Sequence, residues 1–266
     1  MTGSPASVAD AACSSNAFRA RALMALVLGL TLMGLALGAP RASAAVVCVP
    51  TDFTQDSHTL TAALINPPDS MVPENLDATT CDIGIYYSSG THNLVDRNVF
   101  GSTYYGILSN NDTTVTNLSH GSAYDVGNHP NHDGTQHGIA IAWRNGADGT
   151  LDHSQLFDYQ KGGVVADGAG TNVQIQSNTV RGLGPVSFIA QNGVQLSRGA
   201  TGNVNDNVIE DHEYTGCTKQ QQRAGTCTFV VSAGIILFQV DTTAVDTKNN
   251  VFRNNDANLV NAANAP

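Results

Sequence analysis

The sequence predicts an all-β fold, a single-stranded parallel β-helix of about six coils closed by an N-terminal cap. Three observations carry this. First, a glycine leading into alternating apolar residues recurs as IGIYYS at Gly84, YGILSN at Gly106, HGIAIA at Gly138, GGVVAD at Gly163, NGVQLS at Gly193 and AGIILF at Gly234. The spacings are 22, 32, 25, 30 and 41, so a unit of about 22 residues recurs with insertions. A unit this small cannot bury a face alone, and stacked copies can. Second, each glycine segment is followed by another short element: LVDRNVF, TVTNLS, LDHSQLF, IQSNTV, VNDNVI and TKNNVF. Third, the apolar residues alternate instead of recurring every three or four places, and Gly and Asn punctuate each run, which excludes helices.

Taken in order along the chain, the first element is a leader. Arg19 and Arg21 precede a mostly apolar run from Ala22 to Ala39, then Pro40, then Ala42, Ser43 and Ala44. That is the layout of a cleaved signal peptide over residues 1–44, so a secreted protein with no membrane anchor after cleavage is expected. The leader removes Cys13 and leaves Cys48, Cys81, Cys217 and Cys227, an even set suited to an oxidising compartment. Nearest-neighbour pairing gives Cys48 with Cys81 and Cys217 with Cys227, one of three connectivities. Residues 45–80 form the cap, 81–259 the solenoid and 260–266 a short tail.

Within the coils, the residues one and three places after each glycine should face inward. These are Ile85 and Tyr87, Ile107 and Ser109, Ile139 and Ile141, Val164 and Ala166, Val194 and Leu196, Ile235 and Leu237. Residues between them, such as Ala140 and Gln195, should face out. Asn98, Asn178, Asn207 and Asn250, with Ser154 as substitute, are read as one register, a ladder of side-chain amides along the axis. At this point the chain resembles the right-handed parallel β-helix proteins of the pectate-lyase-like class. The handedness comes from that resemblance and from the right-handed crossover rule.

Four insertions, beginning at Ser119, Asp158, Arg181 and Glu210, enter between a second element and the next glycine strand. They should form one wall beside a floor of Asp167, Gln195 and Ser197, with Arg144 and Arg198 at the following turn, since stacked coils lie about 4.8 Å apart. Trp143, the single tryptophan, is read as standing near Arg144 at the end of this groove. From Ala45 onward the chain holds 9 basic and 21 acidic side chains, because Arg19, Arg21, Arg41 and Asp10 lie in the leader. A formal charge of −12 makes nucleic acid and anionic lipid poor partners. A polysaccharide or cell-wall glycan, bound by a monomer, is the expected partner. A uronate would require Ca²⁺ or a local arginine cluster to reverse the field.

The first insertion holds His120, His129, His132 and His137. Only His129 and His132 have a familiar zinc spacing, so the stretch reads as a substrate wall and not as a zinc knot. Glycoside hydrolysis needs a carboxylate pair, which Asp167, Glu210, Asp211 or Glu213 could supply, but the Asp-Asp and Gly-His-Gly motifs of polygalacturonases are absent. GTQHGIAI followed by GGVVAD is similar to coils of bacterial alginate C5-epimerase modules. Those modules also carry a Tyr and a His five residues apart, as Tyr124 and His129 are here, although they have Asp-Pro-His where this chain has Gly127-Asn128-His129. The favoured chemistry is therefore proton abstraction beside a uronate carboxylate, by a lyase or an epimerase. His132 or His129 would be the base, Tyr124 the proton donor and Lys161 the group neutralising the carboxylate. Arg144, Asp167, Arg181, Gln195 and Arg198 would hold the substrate. A non-catalytic glycan-binding β-helix and a glycoside hydrolase are the alternatives.

Overall fold

The computed structural model describes residues 46–224, 226 and 232–262. The leader and Cys227 lie outside these residues. Among the described residues no helix is long and apolar enough to cross a membrane. Each coil carries three strands where the sequence suggested two, and they stack into three sheets. The glycine sheet contains Val49–Gln55, His58–Ile65, Ile83–Tyr87, Tyr105–Asn110, Ile139–Arg144, Gly162–Asp167, Asn192–Ser197, Ala233–Phe238 and Ala257–Ala262. A middle sheet runs from Gly90–Val95 to Val245–Asp246, and a third sheet from Asn75–Asp77 to Val251–Arg253. All pairings are parallel except that between Val49–Gln55 and His58–Ile65. Residues 260–262, read as tail, pair with the strand Ala233–Phe238 and extend the glycine sheet.

Three apolar columns fill the solenoid. The glycine sheet contributes Ile85, Ile107, Ile141, Val164, Val194 and Ile235; the middle sheet Leu94, Leu118, Leu151, Ile175 and Val204; the third sheet Val99, Ala123, Leu156, Val180 and Ile209. Each fully buried aliphatic side chain is worth about 1.5–3 kcal/mol, so the stack is held chiefly by these columns.

The glycines have a steric cause. A Cβ on Gly106 would lie 2.5 Å from the carbonyl oxygen of Ala140, and one on Gly193 would lie 2.5 Å from that of Gly234, one coil on. The register corrects the sequence reading in the histidine-bearing coil. Ile141, not Ile139, pairs with Ile107 and Val164, so Ala140 occupies the glycine column and Gly138 stands two places outside it. Ala140 is therefore a core residue, and Ile139 faces outward in a second apolar cluster. Trp143 is fully buried, its indole nitrogen donating to Thr116 O at 3.2 Å, so it cannot serve a groove.

At the corner between the middle and third sheets, Asp96, His120, His153, Ser177, Asp206 and Asn249 all have left-handed backbone, φ 46–60°. Asp, Asn and His are enriched there because their polar side chains tolerate the conformation. The next residue builds the ladder. Asn207 Oδ1 accepts from Asn178 N at 2.9 Å, Asn250 Oδ1 from Asn207 N at 3.0 Å, and Asn178 Oδ1 from Ser154 N at 2.8 Å. Asn98 stands one residue out of this register and makes its own short ladder with Asn75 and Ser122.

The Cys48–Cys81 disulfide is present, with 5.4 Å between Cα atoms. Cys217 is also disulfide-bonded. The N-terminal hairpin covers the outer face of the first glycine strands, where Leu60, Ala62, Ile83, Tyr86, Tyr105 and Leu108 form the second cluster with Phe53.

Candidate functional site

Beyond that covered patch the outer face of the glycine sheet becomes polar and opens into a groove. The strands Ile139–Arg144, Gly162–Asp167 and Asn192–Ser197 place Arg144, Asp167 and Ser197 in one cross-coil row, and Ala142, Val165 and Gln195 in another. Arg144, Lys161, Asp167, Asn192, Gln195 and Arg198, with Gln136 from the histidine-rich loop, line a cavity of about 150 Å³. Five of the residues read from the sequence, Arg144, Lys161, Asp167, Gln195 and Arg198, thus come together.

Three of the lining residues are cations, and one, Asp167, is an acid. Asp167 is buried, accepts from Ser197 Oγ at 2.7 Å and pairs with the Arg198 guanidinium. Arg144 lies over the rings of Tyr105 and Phe53, 5.4 and 5.9 Å from their centroids, which fixes it at the edge of the cap. Lys161 donates to Ala190 O at 3.0 Å, and burial lowers its pKa. Asn192 is 7% exposed, and its carbonyl oxygen is buried without a partner, as is Nε of Arg144. Such orphaned groups are rare in folded proteins.

The remaining site residues are elsewhere. Arg181 is exposed on the third sheet, its guanidinium 5.9 Å from the Phe157 ring. Tyr124 lies in the same sheet between Phe100 and Phe157, nearly parallel to both, at 5.1 and 4.8 Å. Its ring faces are occupied by those neighbours, so it is part of an aromatic stack and not a proton donor over the groove. The insertion that begins at Ser119 contains the strand Ser122–Val126, and only residues 127–138 form a loop. This is why the residues of the first insertion divide between two faces. Tyr159 and His212, which lie in the second and fourth insertions, are fully buried and bonded to each other at 2.6 Å.

The loop is held by Gln160, which the sequence reading missed. Its Oε1 accepts from Asn128 N at 3.0 Å and Asp133 N at 3.1 Å, and its Nε2 donates to Thr135 O at 2.9 Å. Asp133 accepts from Thr135 N and Oγ1 and from Asn128 Nδ2, and these bonds lower its pKa to about 2. His137 stacks on Tyr104 at 4.1 Å and meets Asn128 Oδ1 at 2.8 Å, a loop-building role. His120 stacks on His153 at 5.2 Å in the left-handed turn column.

His129 and His132 point to the corner beside the third sheet. His132 Nε2 lies 3.2 Å from Asp158 Oδ1, and His129 Nδ1 lies 3.6 Å from Asp125 Oδ1. Burial pulls the His132 pKa down, but the hydrogen bond and charge of Asp158 outweigh it, and the net direction is up. The hydrolytic alternative loses its geometry as well. Glu210 and Asp211 stand on the third sheet, bonded to Arg253 and Asn254, and Asp167 is the one acid lining the groove.

The model of the family described as "Right handed beta helix region" matches residues 69–229, more than half of the chain, and the chain belongs to that family. Neither curated proteins nor solved structures gave a match.

Proposed function

We propose that this right-handed β-helix protein binds an acidic polysaccharide along the groove of its glycine sheet and abstracts the proton beside a uronate carboxylate, as a lyase or an epimerase. The observation that carries the reading is the convergence of Arg144, Lys161 and Arg198 on one cavity in a chain of strongly acidic composition. Arg144 and Arg198 outweigh the one groove carboxylate, Asp167, and reverse the local field, and the cleft concentrates it on an anionic ligand. Asn192 and Gln195 add amide groups to the same lining.

In this scheme Arg144 and Arg198 neutralise the carboxylate and stabilise the enolate that forms when the adjacent C–H is broken. Lys161 is assigned as the base because it lines the groove beside Arg144 and Arg198, and burial shifts its pKa downward, in the direction that raises the share of neutral amine able to accept the proton. This assignment replaces the histidines, which stand on another face. The single groove carboxylate is already engaged, whereas Ca²⁺ takes about six to eight oxygen ligands. Binding should therefore survive chelation. The leader-like segment and the paired cysteines support an extracellular site of action.

One observation favours the non-catalytic reading: apart from Lys161, the residues lining the groove include no free titratable group to return a proton. A panel of uronate polymers separates the two. A lyase yields an unsaturated uronate with new ultraviolet absorbance, and an epimerase exchanges the proton at the inverted carbon with deuterated solvent. Binding with neither signal supports the binder, and no binding to any acidic glycan removes both.

A further inference from the structure

We propose that Asp125, His132 and Asp158, with His129 beside them, form a binding site for a divalent transition-metal ion, with Zn²⁺ the best match. Each of the three offers one donor atom, and these atoms lie within 4.8 Å of one another. Two adjacent coils and one loop supply them. Tyr124 pairs with Phe157 and Val126 with Tyr159, which sets Asp125 and Asp158 at the same level of successive coils. Both have left-handed backbone, φ 53 and 51°, so the two strands deviate alike at this corner.

The loop then brings in the imidazoles. The His132 ring lies against Gly127, where an added Cβ would come within 2.7 Å of Nδ1, so the glycine leaves room for the ring. His129 stands next to it, the two ring centroids 6.4 Å apart and its Nδ1 3.6 Å from Asp125 Oδ1, at the rim of the three-donor cluster. Two carboxylates held together on adjacent coils repel, and a divalent cation between them removes that repulsion more fully than hydrogen bonds do. The donor set selects the ion. Zn²⁺ takes His nitrogen and Asp oxygen together in four-coordinate sites. Ca²⁺ and Mg²⁺ take oxygen ligands, so a histidine among the donors disfavours both. None of these residues lines the cationic groove, and the proposal does not depend on the glycan reading.

The test uses tag-free protein, stripped with a chelator and titrated with Zn²⁺ alone by calorimetry, with the bound metal counted after dialysis. One Zn²⁺ per chain is expected, with affinity reduced at least about tenfold in each of Asp125→Asn, His132→Ala and Asp158→Asn. Asparagine accepts the left-handed backbone, so the Asp→Asn changes preserve the coils. Circular dichroism of each variant identifies any that fails to fold, and the remaining variants then carry the comparison. His120→Ala, in the separate stacked pair with His153, should bind Zn²⁺ as the unaltered protein does. A protein that takes up no Zn²⁺, folded corner variants that bind it undiminished, or loss of binding in His120→Ala would each overturn the proposal.

Discussion

The groove on the glycine sheet and the corner beside the third sheet share one loop and are built in opposite ways. The groove takes Arg144, Asp167, Gln195 and Arg198 from strands and from the turn after them, places that recur in every coil. Its residues are mostly cations and amides around a cavity. The corner takes His129 and His132 from an irregular loop and Asp125 and Asp158 from left-handed positions on successive coils. Its residues are carboxylates and imidazoles in direct contact. Residues 127–138 serve both, with Gln136 facing the groove and His132 the corner. A β-helix can thus place two kinds of chemistry side by side on one insertion, since each face of the coil presents its own repeat position.

Both regions stand on the same stacked coils, so the sharpest way to break the comparison is to disturb the stack. Replacing Asn207 by alanine removes the partner of Asn178 N and frees Ile175 O, all buried. Unsatisfied buried groups cost about 1–3 kcal/mol each, so denaturant unfolding of Asn207→Ala should show a loss of about 3 kcal/mol. An unchanged midpoint would mean that the ladder is decorative.

Acid should act on the whole scaffold through His212. This residue is fully buried, donates from Nδ1 to Asn255 Oδ1 at 2.8 Å and accepts from Tyr159 OH, and burial lowers its pKa to about 4 from an ordinary 6.5. The unfolded chain then binds more protons than the folded one between those values. Stability is complete above about pH 6.5 and falls as pH drops toward 4, by about 3 kcal/mol in all. His212→Gln should flatten that part of the stability profile, and an equal slope in the variant would assign the acid sensitivity to other groups.

The groove was legible in the sequence because its residues sit on the repeat. Once the glycine strands are aligned, their outward positions follow by alternation, and Asp167 and Gln195 need no further information. The register error in the glycine strands followed from a local substitution, Ala140 in the glycine column with Gly138 two places before it. The middle strand of each coil was harder to see because it runs into the third through a corner of two residues, as at His120 and Gly121 between Thr114–Ser119 and Ser122–Val126.

The corner was illegible for a different reason. Within the loop only His129 and His132 have a metal-type spacing, whereas Asp158 lies 26 residues beyond His132 and meets it only because coils stack. The signal available was the stacking itself, Asp125 and Asp158 each following an aromatic residue in the third strand. Gln160 and Asn192 carried no motif, since a buried amide that organises a loop looks like any other polar residue in the sequence.

Smaller effects sharpen the contrast between the two regions. Arg144→Ala should weaken binding of an acidic oligosaccharide at least about tenfold, or about 1.4 kcal/mol, and leave Zn²⁺ uptake unchanged. Conversely, His132→Ala should alter glycan binding by less than about twofold, because His132 faces the corner with Asp158 and does not line the groove. Loss of both properties in either variant would show one composite site in place of two.

The central claim, that the groove recognises negative charge on a sugar, is tested most directly by calorimetric titration with a uronate oligosaccharide and its neutral counterpart of equal length. The titration is made with chelator present, and repeated on Arg144→Ala and Arg198→Ala. The account predicts saturable binding of the uronate alone, insensitive to the chelator, weakened by added salt and by each substitution. Equal binding of the neutral oligosaccharide, or uronate binding that both variants retain in full, would contradict it.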